Sequence, residues 1–135
     1  MRRGTGTSLL LLHDLGRSWR SWGPILDGLS AEREVIAIDL PGFGETPPLH
    51  GEVSIRTLAD AVTEFMTVNN PIGIDAVVSS LAARLVLELA RRGGMLGAVV
   101  SLDPGGFGKA GSGTCFMHRS GRPSSAVGQA NAVNR

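Results

Sequence analysis

Short apolar runs alternate along the chain with longer segments in which apolar residues recur at every third or fourth position. Runs of this length are typical of buried β-strands, whereas the recurring spacing is typical of amphipathic helices. The sequence therefore predicts four strands, at residues 7–12, 35–38, 76–78 and 98–102, with a helix in each interval between them.

Each predicted helix has an apolar face and recognisable ends. The first can be capped by Ser21, with Pro24 in its first turn, where proline is tolerated. The second stops at the Asn-Asn-Pro sequence of residues 69–71, and the third is closed by the glycine pair at 93–94. The apolar faces consist of Trp22, Ile25, Leu26 and Leu29, of Ile55, Leu58, Val62, Phe65 and Met66, and of Leu81, Leu85, Val86 and Leu89.

Strands that alternate with helices predict an α/β fold, in which a parallel sheet carries helices on both faces. Ligands of such sheets bind at the carboxyl ends of the strands. Four polar residues follow those ends, namely His13, Asp39, Ser80 and Asp103. The candidate site is therefore expected at this edge of the sheet.

The composition is that of one soluble globular domain, with 135 residues of which 42% are hydrophobic and 19% charged. The net charge of +1 does not indicate nucleic acid or an anionic membrane as a partner, and no apolar run is long enough to span a bilayer. A single cysteine, Cys115, cannot form an internal disulfide and fits a reducing compartment, so a cytoplasmic location is the default expectation.

The sequence changes character after Phe107. All 12 acidic residues lie at or before Asp103, and the later part is rich in Gly, Ser, Ala and Arg without hydrophobic periodicity. We divide the chain into a partial domain, residues 1–107, and a low-complexity tail, residues 108–135, that is either disordered or translated in a shifted reading frame. Restoring one base before the codon of Gly108 permits a helix-compatible amino-acid sequence that begins Trp-Glu-Gly-Trp.

The outer edges of the second and fourth strands are expected to be uncovered.

Two serines lie between the third predicted strand and the helix that follows it. A serine at such a turn is lifted off the sheet to the N-terminus of a helix, whose dipole favours developing negative charge. This arrangement is typical of a nucleophile elbow, usually written G-x-S-x-G. The elbow here reads Val78-Ser79-Ser80-Leu81-Ala82, without either glycine. Because Val78 is β-branched and stiff, it indicates either a distorted turn or a degenerate copy of the motif.

Three stretches taken together resemble the α/β-hydrolase family. Residues 11–16 read L-L-H-D-L-G, where the family has L-L-H-G-x-G, and residues 39–46 read D-L-P-G-F-G-E-T, where it has D-x-P-G-x-G-x-S. The elbow is the third stretch. The resemblance covers roughly residues 7–107 and corresponds to the N-terminal half of the family domain. It implies a partial α/β-hydrolase fold whose four strands lie in the spatial order second, first, third, fourth.

The resemblance also implies a role for several residues. Ser80 aligns with the nucleophile, and the backbone N–H groups of Leu81 and Leu15 would donate to the oxyanion. His13 would orient the oxyanion loop; the equally weighted and compatible alternative is a turn histidine bonded to nearby backbone. Asp14 stands where the family has glycine, and its charge is unfavourable beside an oxyanion hole.

A serine hydrolase also needs an acid and a histidine base, in the chain order serine, acid, histidine. Ser80, Asp103 and His118 occur in that order. Asp103 follows the strand after the elbow, where some family members such as haloalkane dehalogenases carry their acid, although a simple turn is the alternative. His118 is a weak candidate because the family histidine follows the last strand, which has no counterpart here. His50 is read as a surface residue.

The resemblance therefore implies a serine esterase-like hydrolase that cleaves a small-molecule ester through a covalent Ser80 intermediate and needs no cofactor. Without an identifiable histidine base, the chain is expected to be an incomplete copy that is inactive as written. The alternative is a non-catalytic remnant or binding protein of the same fold. A histidine in reach of Ser80 would discriminate between the two.

Overall fold

The computed structural model describes residues 1–69, 73–93, 96–102, 114–119 and 128–131. The strands are β1 (Arg2–Arg3), β2 (Ser8–Leu12), β3 (Glu34–Ile38), β4 (Ile74–Ser79), β5 (Leu96–Leu102), β6 (Thr114–Arg119) and β7 (Gly128–Asn131). The helices are a 3₁₀ turn (Trp19–Trp22), α1 (Gly23–Ser30), α2 (Ile55–Asn69) and α3 (Leu81–Arg92). None of the helices described has the length and apolar character that a membrane crossing requires.

All these strands belong to one sheet with the order β1-β3-β2-β4-β5-β6-β7. The strands β2, β3, β4 and β5 form a parallel group, in which β2 pairs with β3 and β4, and β4 pairs with β5. Within this group the spatial order is β3-β2-β4-β5, so the predicted α/β class and the order second, first, third, fourth are confirmed.

A hydrophobic core lies on each face of the sheet. Leu10, Leu12 and Val78 belong to the core beneath α2 and α3, whereas Leu9 and Leu11 belong to the core beneath the 3₁₀ turn and α1. Successive side chains of a strand point to opposite faces, so a central strand covered on both faces must be apolar at every position. This explains why four consecutive leucines, residues 9–12, are each at most 6% exposed.

The start of the first helix differs in one detail from the sequence prediction. Ser21 does not cap the first helix, because it lies inside the 3₁₀ turn and Trp22 is the N-cap of α1. The tight turn places Trp22 in the core, where it is 6% exposed. Pro24 does lie in the first turn of α1, as predicted.

The prediction of uncovered sheet edges is wrong. β1 pairs antiparallel with β3 on one side of the parallel group, and β6 pairs antiparallel with β5 on the other, so both edges receive backbone hydrogen bonds. The strands β6 and β7 fall within residues 108–135 and pair antiparallel with each other. The division of the chain at Phe107 and the shifted reading frame stay predictions.

Candidate active site

Ser80 alone forms the turn between β4, which ends at Ser79, and α3, which begins at Leu81. Its backbone has φ 49° and ψ −114°, and among the described residues no other non-glycine residue has a positive φ. Such a conformation costs about 1–3 kcal/mol and persists only where the surroundings fix it. The Ser80 N–H donates to the Leu102 carbonyl at 3.0 Å, and the Ser80 carbonyl accepts from the Ala83 N–H at 3.0 Å.

The two residues that replace the elbow glycines leave this turn intact. Val78 continues β4 in register with Leu12 on one side and Ser101 on the other. Both Val78 and Ala82 are fully buried in the core beneath α2 and α3. Their side chains therefore fill the core rather than the turn.

An open cleft of about 440 Å³ lies beside the elbow and is lined by Asp14, Leu15, Ser80, Leu81 and Arg84. Three residues predicted for the site thus border one space. Leu81 is the first residue of α3, and N–H groups in the first turn of a helix have no intrahelical acceptor. The N-terminal end of the helix dipole also favours negative charge there.

The other predicted oxyanion donor is already engaged. The Leu15 N–H donates to Oδ1 of Asp14 at 2.6 Å, so a carboxylate occupies the position that an oxyanion would need. The sequence analysis noted the charge of Asp14 but missed this contact. A signal was available, because aspartate side chains readily accept hydrogen bonds from nearby backbone N–H groups in turns.

His13 is only 1% exposed, and both of its ring nitrogens contact backbone. The Leu40 N–H donates to Nε2 at 3.0 Å, which requires the proton to be on Nδ1, and Nδ1 donates to the Asp14 carbonyl at 2.7 Å. The ring of Phe43 meets that of His13 edge-on at 5.6 Å. His13 is thus bonded to nearby backbone and ties the loop after β2 to the residue that follows Asp39, so the two sequence interpretations are compatible.

Asp39 fastens two loops at the end of β3. Its Oδ1 accepts from the Trp19 N–H at 2.7 Å and its Oδ2 from the Glu45 N–H at 2.9 Å. Burial acts to raise the pKa of Asp39, but the N–H groups of Glu45 and Trp19, together with nearby charge, hold the pKa below its ordinary value. Gly44 has φ 55°, and a Cβ there would collide with the Asp39 carboxylate. These contacts explain the aspartate and the second glycine of the D-x-P-G-x-G stretch.

Neither His13 nor His50, the histidines whose side chains the structure describes, is placed as a base for Ser80. His13 has both nitrogens engaged, and His50 is exposed and does not line the cleft. His118 is in register with Val99, three residues before Leu102 along β5, which is roughly 10 Å from the carboxyl edge of the sheet at ~3.3 Å per residue.

The candidate acid, Asp103, lies outside the described residues. Within those residues, no group of three His, Cys, Asp or Glu side chains could hold a metal ion. The structure brings Ser80, Leu81 and Leu15 together at the cleft, and His13 bonds to the Asp14 carbonyl in the loop of Leu15. For the other predicted triad members, Asp103 and His118, no side-chain position at the cleft is described.

The chain resembles esterases in sequence. It is 35% identical over 63 residues to the pimeloyl-[acyl-carrier protein] methyl ester esterase of Legionella pneumophila (strain Lens), a match that covers 47% of this chain and 26% of that esterase. It is 40% identical over 67 residues to the corresponding esterase of Aeromonas hydrophila subsp. hydrophila, covering 48% and 26%. The chain thus spans about a quarter of the length of these relatives.

Solved structures share its fold. An esterase from Thermogutta terrifontis superimposes with a TM-score of 0.63 at 26% identity, over 68% of this chain and 34% of that one. The haloalkane dehalogenase DatA from Agrobacterium tumefaciens C58 superimposes with a TM-score of 0.70 at 22% identity, over 76% and 36%. Residues 9–133 match the model described as the alpha/beta hydrolase family. The chain therefore belongs to the alpha/beta hydrolase family.

Proposed function

We propose that this chain carries the nucleophile of an esterase-type hydrolase and that Ser80 is that nucleophile. The observation that carries the proposal is the φ of 49° at Ser80, at the head of α3 and beside an open cleft. Strained backbone of this kind persists only where the surrounding structure fixes it. It clusters at functional sites, where the strain is part of the mechanism. The similarity to esterases supports an ester as the substrate.

In the proposed reaction the Ser80 hydroxyl attacks the acyl carbon of a small-molecule ester, and its proton passes to a base. The carbonyl oxygen becomes an oxyanion, which the Leu81 N–H stabilises together with the dipole of α3. The alcohol then leaves with a proton, and water hydrolyses the acyl-serine to release the acid. Each step uses only side chains, backbone groups and water, so no cofactor is required.

The described residues provide no histidine base at the cleft: His13 has both ring nitrogens engaged, His50 does not line the cleft, and the backbone of His118 lies opposite Val99. A serine hydroxyl is a weak nucleophile without a base. We therefore propose that the chain as written does not turn over esters. A binding protein or remnant of the same fold is the second candidate, and the Asp14 carboxylate on the Leu15 N–H favours it, since that contact opposes catalysis.

The test supplies the missing base from solution. The full chain is incubated with a biotinylated fluorophosphonate, with and without imidazole, whose five-membered ring can enter an open cleft of this size. Imidazole accepts the Ser80 proton, Oγ attacks phosphorus, and fluoride leaves. We expect slow labelling of Ser80, located by tandem mass spectrometry, only when imidazole is present.

Two matched variants control this experiment. Ser80→Ala should abolish the label, whereas Ser79→Ala should retain it because Ser79 still belongs to β4. A label on Ser79 would show that the nucleophile is assigned to the wrong serine. No label on either serine would favour the binding protein or remnant. Hydrolysis of a short-chain nitrophenyl ester without imidazole, above the Ser80→Ala level, would show that the chain holds its own base.

A further inference from the structure

The cleft beside Ser80 contains a carboxylate that the proposed reaction does not use. Asp14 is half-buried, and its Oδ1 lies 2.6 Å from the Leu15 nitrogen. Hydrogen bonds to an ionised acceptor are shorter and roughly twice as strong as neutral ones. This contact therefore competes with any weaker acceptor that approaches the same N–H.

The peptide unit between Asp14 and Leu15 is held from its other side. Its carbonyl oxygen accepts from Nδ1 of His13 at 2.7 Å and from the Arg17 N–H at 3.1 Å. Because a trans peptide is planar, fixing the carbonyl also fixes the N–H, which points the opposite way. The donor is thus pre-oriented, whereas the Asp14 carboxylate that covers it can rotate about its side-chain bonds.

A carboxylate at this place opposes the proposed reaction in two ways. It withholds one of the two backbone donors, and it places a negative charge where a second negative charge must develop. Removing a single oxyanion donor from a hydrolase lowers the rate about 10²–10³-fold. Arg84 lines the same cleft.

We propose that Asp14 restrains the reactivity of Ser80 by occupying the Leu15 N–H, and that the restrained oxyanion hole is otherwise complete. The inference rests on the proposed role of Ser80. In this inference His13 and Arg17 position the Leu15 N–H, and the Asp14 carboxylate occupies it. Displacing the carboxylate, by substitution or by a ligand that binds it, then exposes a donor that is already in place.

The test compares labelling rates of Ser80 by the fluorophosphonate at a fixed imidazole concentration, using the full chain. Asp14→Ala removes the acceptor and the charge, and we expect the rate constant to rise about 10²-fold. Asp14→Asn removes the charge but keeps an oxygen acceptor, so an intermediate rise is expected. Asp27→Ala is the matched control, because Asp27 is an exposed aspartate paired with Arg3 that does not line the cleft.

A faster reaction after truncation separates restraint from a structural role, since loss of structure slows labelling. Ser80-dependent labelling that is equally fast in the parent chain and both Asp14 variants would overturn the restraint and leave the role of Ser80 standing. No labelling of Ser80 in any variant would overturn both. Far-ultraviolet circular dichroism of each variant verifies its fold, and Asp14→Asn, the closest in shape, decides the outcome if Asp14→Ala unfolds.

Discussion

Replacing His13 by alanine tests the part of the site that the structure defines best. Leu40 is 2% exposed and donates its N–H to Nε2 of His13, so the substitution leaves a buried donor without a partner. An unsatisfied buried group costs about 1–3 kcal/mol. Loss of the edge-on contact with Phe43 adds about 0.5–1.5 kcal/mol. The Asp14 carbonyl still accepts a hydrogen bond from the Arg17 N–H, so losing its bond from Nδ1 of His13 adds little to the loss of stability.

The free energy of unfolding should therefore fall by about 2–4 kcal/mol, measured by urea denaturation with circular dichroism. His13→Asn is the matched variant, since its shorter side chain retains a polar acceptor and a smaller loss is expected. A loss below about 1 kcal/mol in His13→Ala would refute the reasoning, because the Leu40 N–H would then have to find another acceptor. An equal loss in both variants would show that packing volume, rather than the hydrogen bond, determines the effect.

Three further outcomes are expected. Gly44→Ala should lower stability by at least about 1–2 kcal/mol in urea, because a side chain is strained at φ 55° and its Cβ meets the Asp39 carboxylate, whereas Gly23→Ala, with no heavy atom near the new Cβ, should not. The pKa of Asp39 is lowered in the folded chain, so its contribution to stability is present above the pKa of an unfolded aspartate, about 3.9, and is lost as the pH falls through the folded value. Asp39→Asn should flatten that part of the acid denaturation curve, and an unchanged curve would contradict the assignment. Sequencing of the gene should reveal one base missing before the codon of Gly108 and an open frame beyond it, and reads that confirm the present frame would end that hypothesis.

Much of the fold follows from local pattern. Four consecutive leucines at 9–12 can be buried only in a strand covered on both faces, and the spacing of Leu81, Leu85 and Leu89 fits one face of a helix. The sequence also located the turn, at the two serines 79 and 80, and the structure reduced it to Ser80 because β4 extends to Ser79. These features depend on neighbours within a few positions of each other, which is why periodicity is sufficient to predict them.

The edges of the sheet and the hydrogen bonding of the proposed oxyanion donor were decided by the tertiary structure. The pairing of β6 with β5 and the bond between Leu40 and His13 join residues far apart in the chain, and no local pattern encodes them. The contact between Asp14 and Leu15 is local, but it depends on the rotation of the Asp14 side chain. It also depends on the orientation of the peptide between the two residues, whose carbonyl is bonded to His13. Sequence can name the residues that meet at the end of a strand; which of them accepts a given N–H depends on the three-dimensional positions of all the competing acceptors.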